Sequence, residues 1–134
     1  MPAASGLIKL EAAPRPDDVL CRLDDIDPDL GNLRLLWFDR DGQRRVFLLR
    51  RGDALFAYIN ECPHALSRLD HPPGDFLSLD RQRLECSFHG AQFEIDTGRC
   101  ISGPCFGRGL TVYHVEVSDG EVRVARPTKP STSG

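Results

Sequence analysis

Two short Cys/His pairs near the middle of the chain carry the residue types best suited to metal chemistry. The first pair lies in Cys62-Pro63-His64, and the second lies in Cys86-Ser87-Phe88-His89. Each pair supplies one thiolate and one imidazole, and both groups are common protein ligands of zinc and iron. We therefore expect one metal centre with four ligands, contributed by Cys62, His64, Cys86 and His89.

One metal centre fits this ligand set directly. Two thiolates and two imidazoles bind the kind of [2Fe–2S] cluster in which two His replace two Cys on one iron. In such a centre Cys62 and Cys86 bind the inner iron, and His64 and His89 bind the outer iron nearer to solvent. Because imidazole is neutral, exchanging two thiolates for two imidazoles removes negative charge and raises the reduction potential.

Other uses of these residues fit less well. A structural zinc site also combines Cys and His, but its ligand pairs are usually spaced more widely than Cys-x-His. A zinc-stapled interaction module therefore stays open as an alternative. An all-Cys [2Fe–2S] site fails, because Cys100 and Cys105 supply one spacing step and Arg108 stands where the next Cys is needed. A Cys/His nucleophile would leave the second pair unexplained.

The composition and net charge narrow the possible partners and the cellular compartment. At 134 residues with a net charge of −3, the chain is most simply one domain without the basic surface that nucleic acids or anionic membranes require. No apolar run approaches the roughly 20 residues of a membrane helix. Five Cys is an odd count that suits metal binding better than a disulfide framework. We expect a cytoplasmic protein.

Short apolar runs between turns predict an all-β fold, a sandwich or open barrel of antiparallel sheets. Asp41-Gly42 and Asp119-Gly120 are the hairpin signals. Both Cys/His pairs fall where strands give way to loops, so two loops would clasp the metal. We expect a flexible arm over residues 1–16, the domain over 17–125 with its metal-binding part at about 60–107, and a disordered tail over 126–134. The predicted strands cover 33–37, 46–49, 55–59, 84–86, 92–95, 110–117 and 122–124.

The residues around the pairs resemble a known family. Residues 60–64 and 86–93 are similar to the two halves of the Rieske motif, and residues 96–104 resemble the Gly-Pro loop that covers its cluster. A weaker resemblance extends from about residue 18 to residue 125. The chain looks most like the small bacterial Rieske ferredoxins of ring-hydroxylating oxygenase systems.

The resemblance implies a cofactor, a role and partners. It implies a Rieske fold with a small cluster-binding subdomain of two loops and one [2Fe–2S] cluster per chain. The chain would be an electron carrier rather than an enzyme, with a flavin-dependent reductase as donor and an oxygenase or another redox enzyme as acceptor. The alternative within the family is a small Rieske subunit of a larger enzyme such as nitrite reductase.

The resemblance also gives meaning to neighbouring positions. Ala91 and Phe93 stand where high-potential members carry Ser and Tyr hydroxyls, which implies a potential near the lower end of the Rieske range, roughly −150 mV. Ser67 and Phe88 stand where respiratory members carry the two Cys of a disulfide, so that staple is absent.

Further residues are expected around the cluster or in the core. Gly90 and Gly103 would allow close backbone approach, and Pro104 would shield the cluster from water. Cys100 and Cys105 flank this loop, and we expect buried thiols there, with a bond between them as the alternative. Cys21 and Trp37 are expected in the hydrophobic core.

Overall fold

The computed structural model describes residues 5–63, 68–70, 74–87, 90–103 and 108–126. Within these ranges the chain forms β-strands and a single 3-10 turn, which confirms the all-β prediction. No helix in the described part is long and apolar enough to span a bilayer. The elements are β1 (Ser5–Lys9), β2 (Val19–Arg22), a 3-10 turn (Leu23–Asp25), β3 (Asp29–Asp39), β4 (Gly42–Arg51), β5 (Ala54–Ile59), β6 (Leu84–Glu85), β7 (Gln92–Phe93), β8 (Cys100–Ser102), β9 (Val115–Ser118) and β10 (Glu121–Val124).

The largest sheet has the strand order β1-β3-β4-β5 and forms the centre of the molecule. Its long β3–β4 hairpin pairs Asp39 with Gly42, so the predicted Asp41-Gly42 turn is confirmed. Gly42 has a φ of 117°, a conformation that favours glycine over other residues. Because side chains alternate along a strand, each strand contributes apolar groups to both faces of this sheet.

A second sheet, β2-β10-β9, packs on one face of the central sheet. The core between them includes Leu33, Leu35 and Trp37 from β3 and Val46 and Leu48 from β4. Cys21 and Trp37 are buried there, as expected, with 8% and 6% of their surface exposed.

A small third sheet, β6-β7-β8, packs on the opposite face of the central sheet. Phe47 and Leu49 of β4 and Tyr58 of β5 point toward it, and their core continues into both predicted cysteine ligands. Phe47 stacks on Phe76, with ring centroids 4.2 Å apart. The central sheet is therefore the rigid platform on which the metal-binding subdomain is built.

Two predicted boundaries are wrong. Residues 5–9 are not a loose arm: β1 pairs in parallel with β3, from Ser5 opposite Asn32 to Lys9 opposite Leu36. The strand predicted over 110–117 is limited to β9. Residues 111–113 lie beside β5 and bond to it through individual backbone hydrogen bonds. Ile59 N donates to Thr111 O at 2.8 Å, and Tyr113 N donates to Ala57 O at 2.9 Å.

The long spacer between the two pairs contains an extra hairpin. Leu77 bridges Leu84, and Ser78 N donates to Arg83 O at 2.9 Å. Arg81 ties the tip back to the start of β3 through a 2.8 Å bond to Asp29 O. Pro72 and Pro73 of the spacer lie outside the described residues.

Candidate metal centre

The first candidate loop begins where β5 ends, and its backbone is fixed by buried amide and carboxylate groups. Asn60 Oδ1 accepts from Leu69 N at 2.8 Å, and Asn60 Nδ2 donates to Asp70 Oδ1 at 2.9 Å. Asp70 Oδ2 accepts from Gly74 N at 2.8 Å. Asn60 and Asp70 are only 3% and 1% exposed. These bonds join the two ends of the loop that carries Cys62.

The second candidate loop is a tight turn between β6 and β7. Cys86 N donates to Ala91 O at 2.8 Å, and Gly90 N donates back to Cys86 O at 2.9 Å. Gly90 has a φ of 73°, which a residue with a side chain would adopt only with strain. This turn holds Cys86 at a fixed point above the central sheet.

The two loops are joined directly to each other. Ser87 N, next to the second cysteine, donates to Leu69 O of the first loop at 2.8 Å. Cys62 and Cys86 both have 0% exposure and belong to one hydrophobic cluster. The two cysteines therefore share one buried environment.

A third segment closes over the second loop. Gly103 has a φ of 99°, and a Cβ at this position would lie 2.7 Å from Ala91 Cα. Arg108 N-terminal to β9 reaches the first loop, where its Nη1 donates to Pro63 O at 3.3 Å. The expectation that Gly103 approaches the site closely is therefore consistent with its contact with Ala91, while Pro104 lies outside the described residues.

The remaining predicted ligands are not described. His64 and His89 lie outside the described residues, as do Ser67, Phe88 and Cys105. Within the described ranges no group of three or more His, Cys, Asp and Glu side chains forms a metal site, which is expected when two of four ligands fall outside them. Cys100 is buried, with 2% exposure, as predicted.

The described half of the site fits a [2Fe–2S] cluster. Two fully buried cysteines on joined loops suit the inner iron, because sulfur ligands in an apolar, water-excluded shell are typical of these centres. Ala91 and Phe93 line the same cluster of buried residues, and neither side chain has a hydroxyl to donate to sulfur. The donor chemistry and the burial therefore agree.

Another buried cysteine, Cys21, is not part of the candidate site. Burial, followed by the charge of Asp25, raises the pKa of Cys21 to about 11. A thiol with so high a pKa is protonated at neutral pH and is a poor metal ligand. Cys21 is a core residue on the opposite side of the central sheet from the candidate site.

Sequence reasoning missed two supporting side chains. Tyr58 O–H donates to Ile95 O at 2.6 Å, and its ring lies so close to Gly98 that a Cβ there would be 2.7 Å from it. Tyr58 thereby clamps the β7–β8 connection to β5. Asp70 was missed because a buried carboxylate in a polar spacer has no sequence pattern of its own, although its neighbour Asn60 belongs to the first motif.

Comparison with known proteins identifies the class. The sequence model of the Rieske [2Fe-2S] domain matches residues 19–126. The chain belongs to this family of iron–sulfur proteins.

Two of its relatives within the family are ferredoxins. Ferredoxin CarAc of Metapseudomonas resinovorans is 34% identical over 110 residues, which cover 82% of this chain and 94% of the relative. The anthranilate 1,2-dioxygenase ferredoxin subunit of Burkholderia cepacia is 30% identical over 83 residues, or 62% of this chain and 71% of that protein.

A solved structure gives the same result for the fold. A chain in the complex of reduced oxygenase and oxidized ferredoxin in carbazole 1,9a-dioxygenase aligns with a TM-score of 0.61 and 33% identity, covering 84% of this chain and 94% of that chain. The predictions of a Rieske fold, a [2Fe–2S] cofactor and an electron-transfer role are confirmed by these relationships. The four individual ligands stay a prediction.

Proposed function

We propose that this protein carries single electrons from a flavin-dependent reductase to the oxygenase component of a dioxygenase system, through a cluster bound by Cys62, His64, Cys86 and His89. The observation that carries the proposal is the burial of Cys62 and Cys86 at 0% exposure on two loops joined by the Ser87–Leu69 bond. A bound cluster of this type supplies one-electron redox chemistry.

The relatives support the choice of acceptor. Ferredoxin CarAc and the anthranilate 1,2-dioxygenase ferredoxin subunit match most of their own length, and both are small proteins of the carrier type. A similar ferredoxin binds an oxygenase in the carbazole 1,9a-dioxygenase complex. These likenesses favour a free carrier over the small subunit of a nitrite reductase, and we place the transfer in the cytoplasm.

The chain's own residues have three tasks in this transfer. The apolar cluster around Cys62 and Cys86 keeps water from the sulfur atoms. The Asn60–Asp70 bonds hold the first loop in one geometry, which limits rearrangement between redox states. Arg108, exposed and bonded to Pro63 O, places a positive charge beside the first loop, where it suits an acidic docking surface.

The ligand assignment is tested by spectroscopy on purified protein. We expect visible absorption and a rhombic EPR signal in the reduced state, both lost in His64→Ala and in His89→Ala. His114→Ala is the matched control, because His114 is exposed and belongs to neither motif, and it should keep both signals. A colourless, EPR-silent wild type that binds zinc would overturn the proposal in favour of the zinc-stapled module.

The transfer itself is tested by anaerobic stopped-flow mixing. The reduced protein is mixed with an oxidised dioxygenase component, such as the oxygenase of carbazole 1,9a-dioxygenase, and the decay of the reduced EPR signal is followed. We expect transfer within catalytic turnover times, and product formation by reductase and oxygenase should require this protein. Stoichiometric co-purification with a large catalytic chain would instead support the enzyme-subunit alternative.

A further inference from the structure

A cavity lined by arginine side chains lies on the central sheet, next to the first metal-binding loop. Its volume is about 70 Å³, which has room for several water molecules and hence for one small ion. Three arginines line it, namely Arg34 of β3, Arg45 of β4 and Arg68 of the first loop. Leu7 of β1 also lines it and is 43% exposed, so the cavity opens to solvent.

The charges around this cavity do not balance. Asp70 is its single acidic side chain among the described lining residues, against three arginines. Arg68 Nε already lies 3.8 Å from Asp70 Oδ1 and donates to Asp70 O at 3.1 Å. Both Asp70 carboxylate oxygens also accept from Asn60 Nδ2 and Gly74 N. Two guanidinium charges, on Arg34 and Arg45, have no carboxylate partner in the described residues.

The Nε atoms of Arg34 and Arg45 are buried, while each residue as a whole is half-buried. Arg34 Nε and Arg45 Nε are both inaccessible to solvent and have no hydrogen-bond partner among the described residues. Within the described part of the chain, the Arg45 side chain makes one hydrogen bond, from Nη1 to Gln43 Oε1 at 2.6 Å, and the Arg34 side chain makes none. A buried N–H without an acceptor is unfavourable, and on a charged group the penalty is larger. Among the described residues, neither Arg34 nor Arg45 therefore has a negatively charged hydrogen-bond acceptor.

We propose that this cavity binds one small inorganic oxyanion of the sulfate or phosphate class. The planar guanidinium fork matches such oxyanions with two parallel hydrogen bonds, and two forks on neighbouring strands present them from one side. Leu36 and Arg45 are directly paired across β3 and β4, and Arg34 lies two residues before Leu36 on the same face. Occupancy gives the guanidinium charges of Arg34 and Arg45 a counter-charge and neutralises the excess positive charge.

The binding test uses the wild-type holoprotein at constant ionic strength, with sodium sulfate or phosphate replacing sodium chloride. We expect saturable 1:1 binding in isothermal titration calorimetry and a melting temperature that rises with the oxyanion concentration. Separate titrations with sulfate and with phosphate show which of the two oxyanions binds. A response equal to that of chloride at every concentration would overturn the proposal.

Variants locate the bound ion. Arg34→Gln and Arg45→Gln should each weaken oxyanion binding by about tenfold or more, the loss expected for a charge-assisted bond. Arg40→Gln is the matched control. Arg40 is exposed at the tip of the same β3–β4 hairpin, and the substitution removes the same charge far from the cavity residues Arg34 and Arg45. Equal weakening in all three variants would mean general charge attraction and would contradict a specific site.

A second measurement does not depend on the variants folding. A crystal of the wild type grown with selenate should show an anomalous selenium peak within hydrogen-bond distance of Arg34 and Arg45. Absence of that peak at saturating selenate would overturn the proposal. The visible spectrum of the cluster, recorded on each sample, reports folding and electron-carrier integrity separately from oxyanion binding.

Discussion

Ala91 and Phe93 flank the buried Cys86 turn, and their side chains determine which hydrogen bonds a bound cluster can receive. Both residues have 0% exposure in the same hydrophobic cluster as Cys62 and Cys86. A hydroxyl that donates to sulfur favours the reduced state, because the reduced cluster carries one more negative charge. Their apolar side chains are therefore the residue-scale reason to expect a low potential.

Adding the two hydroxyls should raise the reduction potential. In Ala91→Ser and Phe93→Tyr, each new donor bond that is about 1.4 kcal/mol stronger to the reduced state raises a one-electron potential by about 60 mV. We expect each single variant to move upward from a wild-type value near −150 mV, and the double variant to move further. A redox titration followed by EPR or circular dichroism measures the shift.

The control for this experiment is Ala57→Ser. Ala57 is also buried, but in the core on the other face of the central sheet. The reduction potential of the Ala57→Ser variant should equal that of the wild type. If Ala57→Ser and Ala91→Ser shift the potential equally, the effect does not come from a bond near the cluster.

Tyr58 gives a second residue-scale prediction, based on its titration. Burial, followed by the charge of Asp96, raises the pKa of Tyr58 to about 12. Its ordinary value in an unfolded chain is about 10. The folded state therefore keeps the proton that the unfolded state loses, so this contribution to stability is complete below pH 10 and disappears between about pH 10 and 12.

Difference spectroscopy tests that titration directly. The tyrosinate absorbance of wild type minus Tyr58→Phe should rise with a midpoint near pH 12, and the variant should lose roughly 1 kcal/mol at pH 8 with the bond to Ile95 O. Tyr113→Phe serves as the comparison, because burial raises the pKa of Tyr113 as well, without a bond to the β7–β8 turn. A Tyr58 midpoint at pH 10 would contradict the buried environment described here.

At the scale of elements, Gly103 decides how closely the end of β8 approaches the second loop. Gly103→Ala combines a φ of 99° with a Cβ only 2.7 Å from Ala91 Cα, so backbone must move. We expect a loss of about 2–3 kcal/mol, with a lower melting temperature of the visible circular dichroism signal. Gly42→Ala is the matched control, since its φ is 117° and no atom lies within 4 Å of the added Cβ.

The two substitutions separate conformational strain from steric contact. Gly42→Ala should lose only the strain contribution, about 1 kcal/mol, and should leave the cluster signal unchanged at room temperature. If Gly103→Ala is no more destabilising than Gly42→Ala, the contact between β8 and the second loop does not support the site.

The first loop depends on a different interaction, the buried amide of Asn60. Asn60→Ala leaves Leu69 N without its acceptor and removes one donor from Asp70, and both groups stay buried. We expect a loss of about 2–4 kcal/mol and faster release of iron into a chelator. Asn32→Ala is the control, because the buried Asn32 amide donates to Gly74 O at 3.0 Å and has no bond to Leu69 or Asp70. Equal iron release in both variants would contradict a special role for Asn60.

Elements differ in how far the sequence determines them. The β3–β4 hairpin was predictable, because Leu33, Leu35 and Trp37 alternate and Asp41-Gly42 supplies its turn. β1 and β8 were not, since β1 forms only by pairing with the distant β3 and β8 has only three residues. The same distinction holds at the site. The spacing within each Cys/His pair is a local pattern, whereas the cavity that brings Arg34 together with Arg45 and Arg68 is built from segments remote in the sequence.

At the scale of the whole molecule, one sheet serves two cores. Residues of β4 alternate between them, with Val46 and Leu48 facing the β2-β10-β9 sheet and Phe47 and Leu49 facing the metal-binding subdomain. The stability of the metal site is thus linked to the packing of the β2-β10-β9 sheet, which contains none of the predicted metal ligands. β1 forms the outer edge of that sheet and lies before the residues that match the family, 19–126.

Removal of β1 should therefore weaken the molecule without changing its cofactor. Deleting residues 2–10 uncovers the edge of β3 from Asn32 to Leu36 and removes the partly buried Ile8 from the core. We expect a loss of roughly 2–4 kcal/mol, from the missing strand bonds and the apolar surface, and association through the exposed edge. Melting curves and size-exclusion chromatography measure both effects, and the visible spectrum should match that of the full chain.

Deletion of residues 2–4 alone is the control, because it leaves Ser5–Lys9 in place. Since β1 contributes no ligand, a changed spectrum in the longer deletion would mean that the edge strand shapes the metal site through the central sheet. Unchanged stability in both deletions would mean that the Asn32–Leu36 edge of β3 needs no partner.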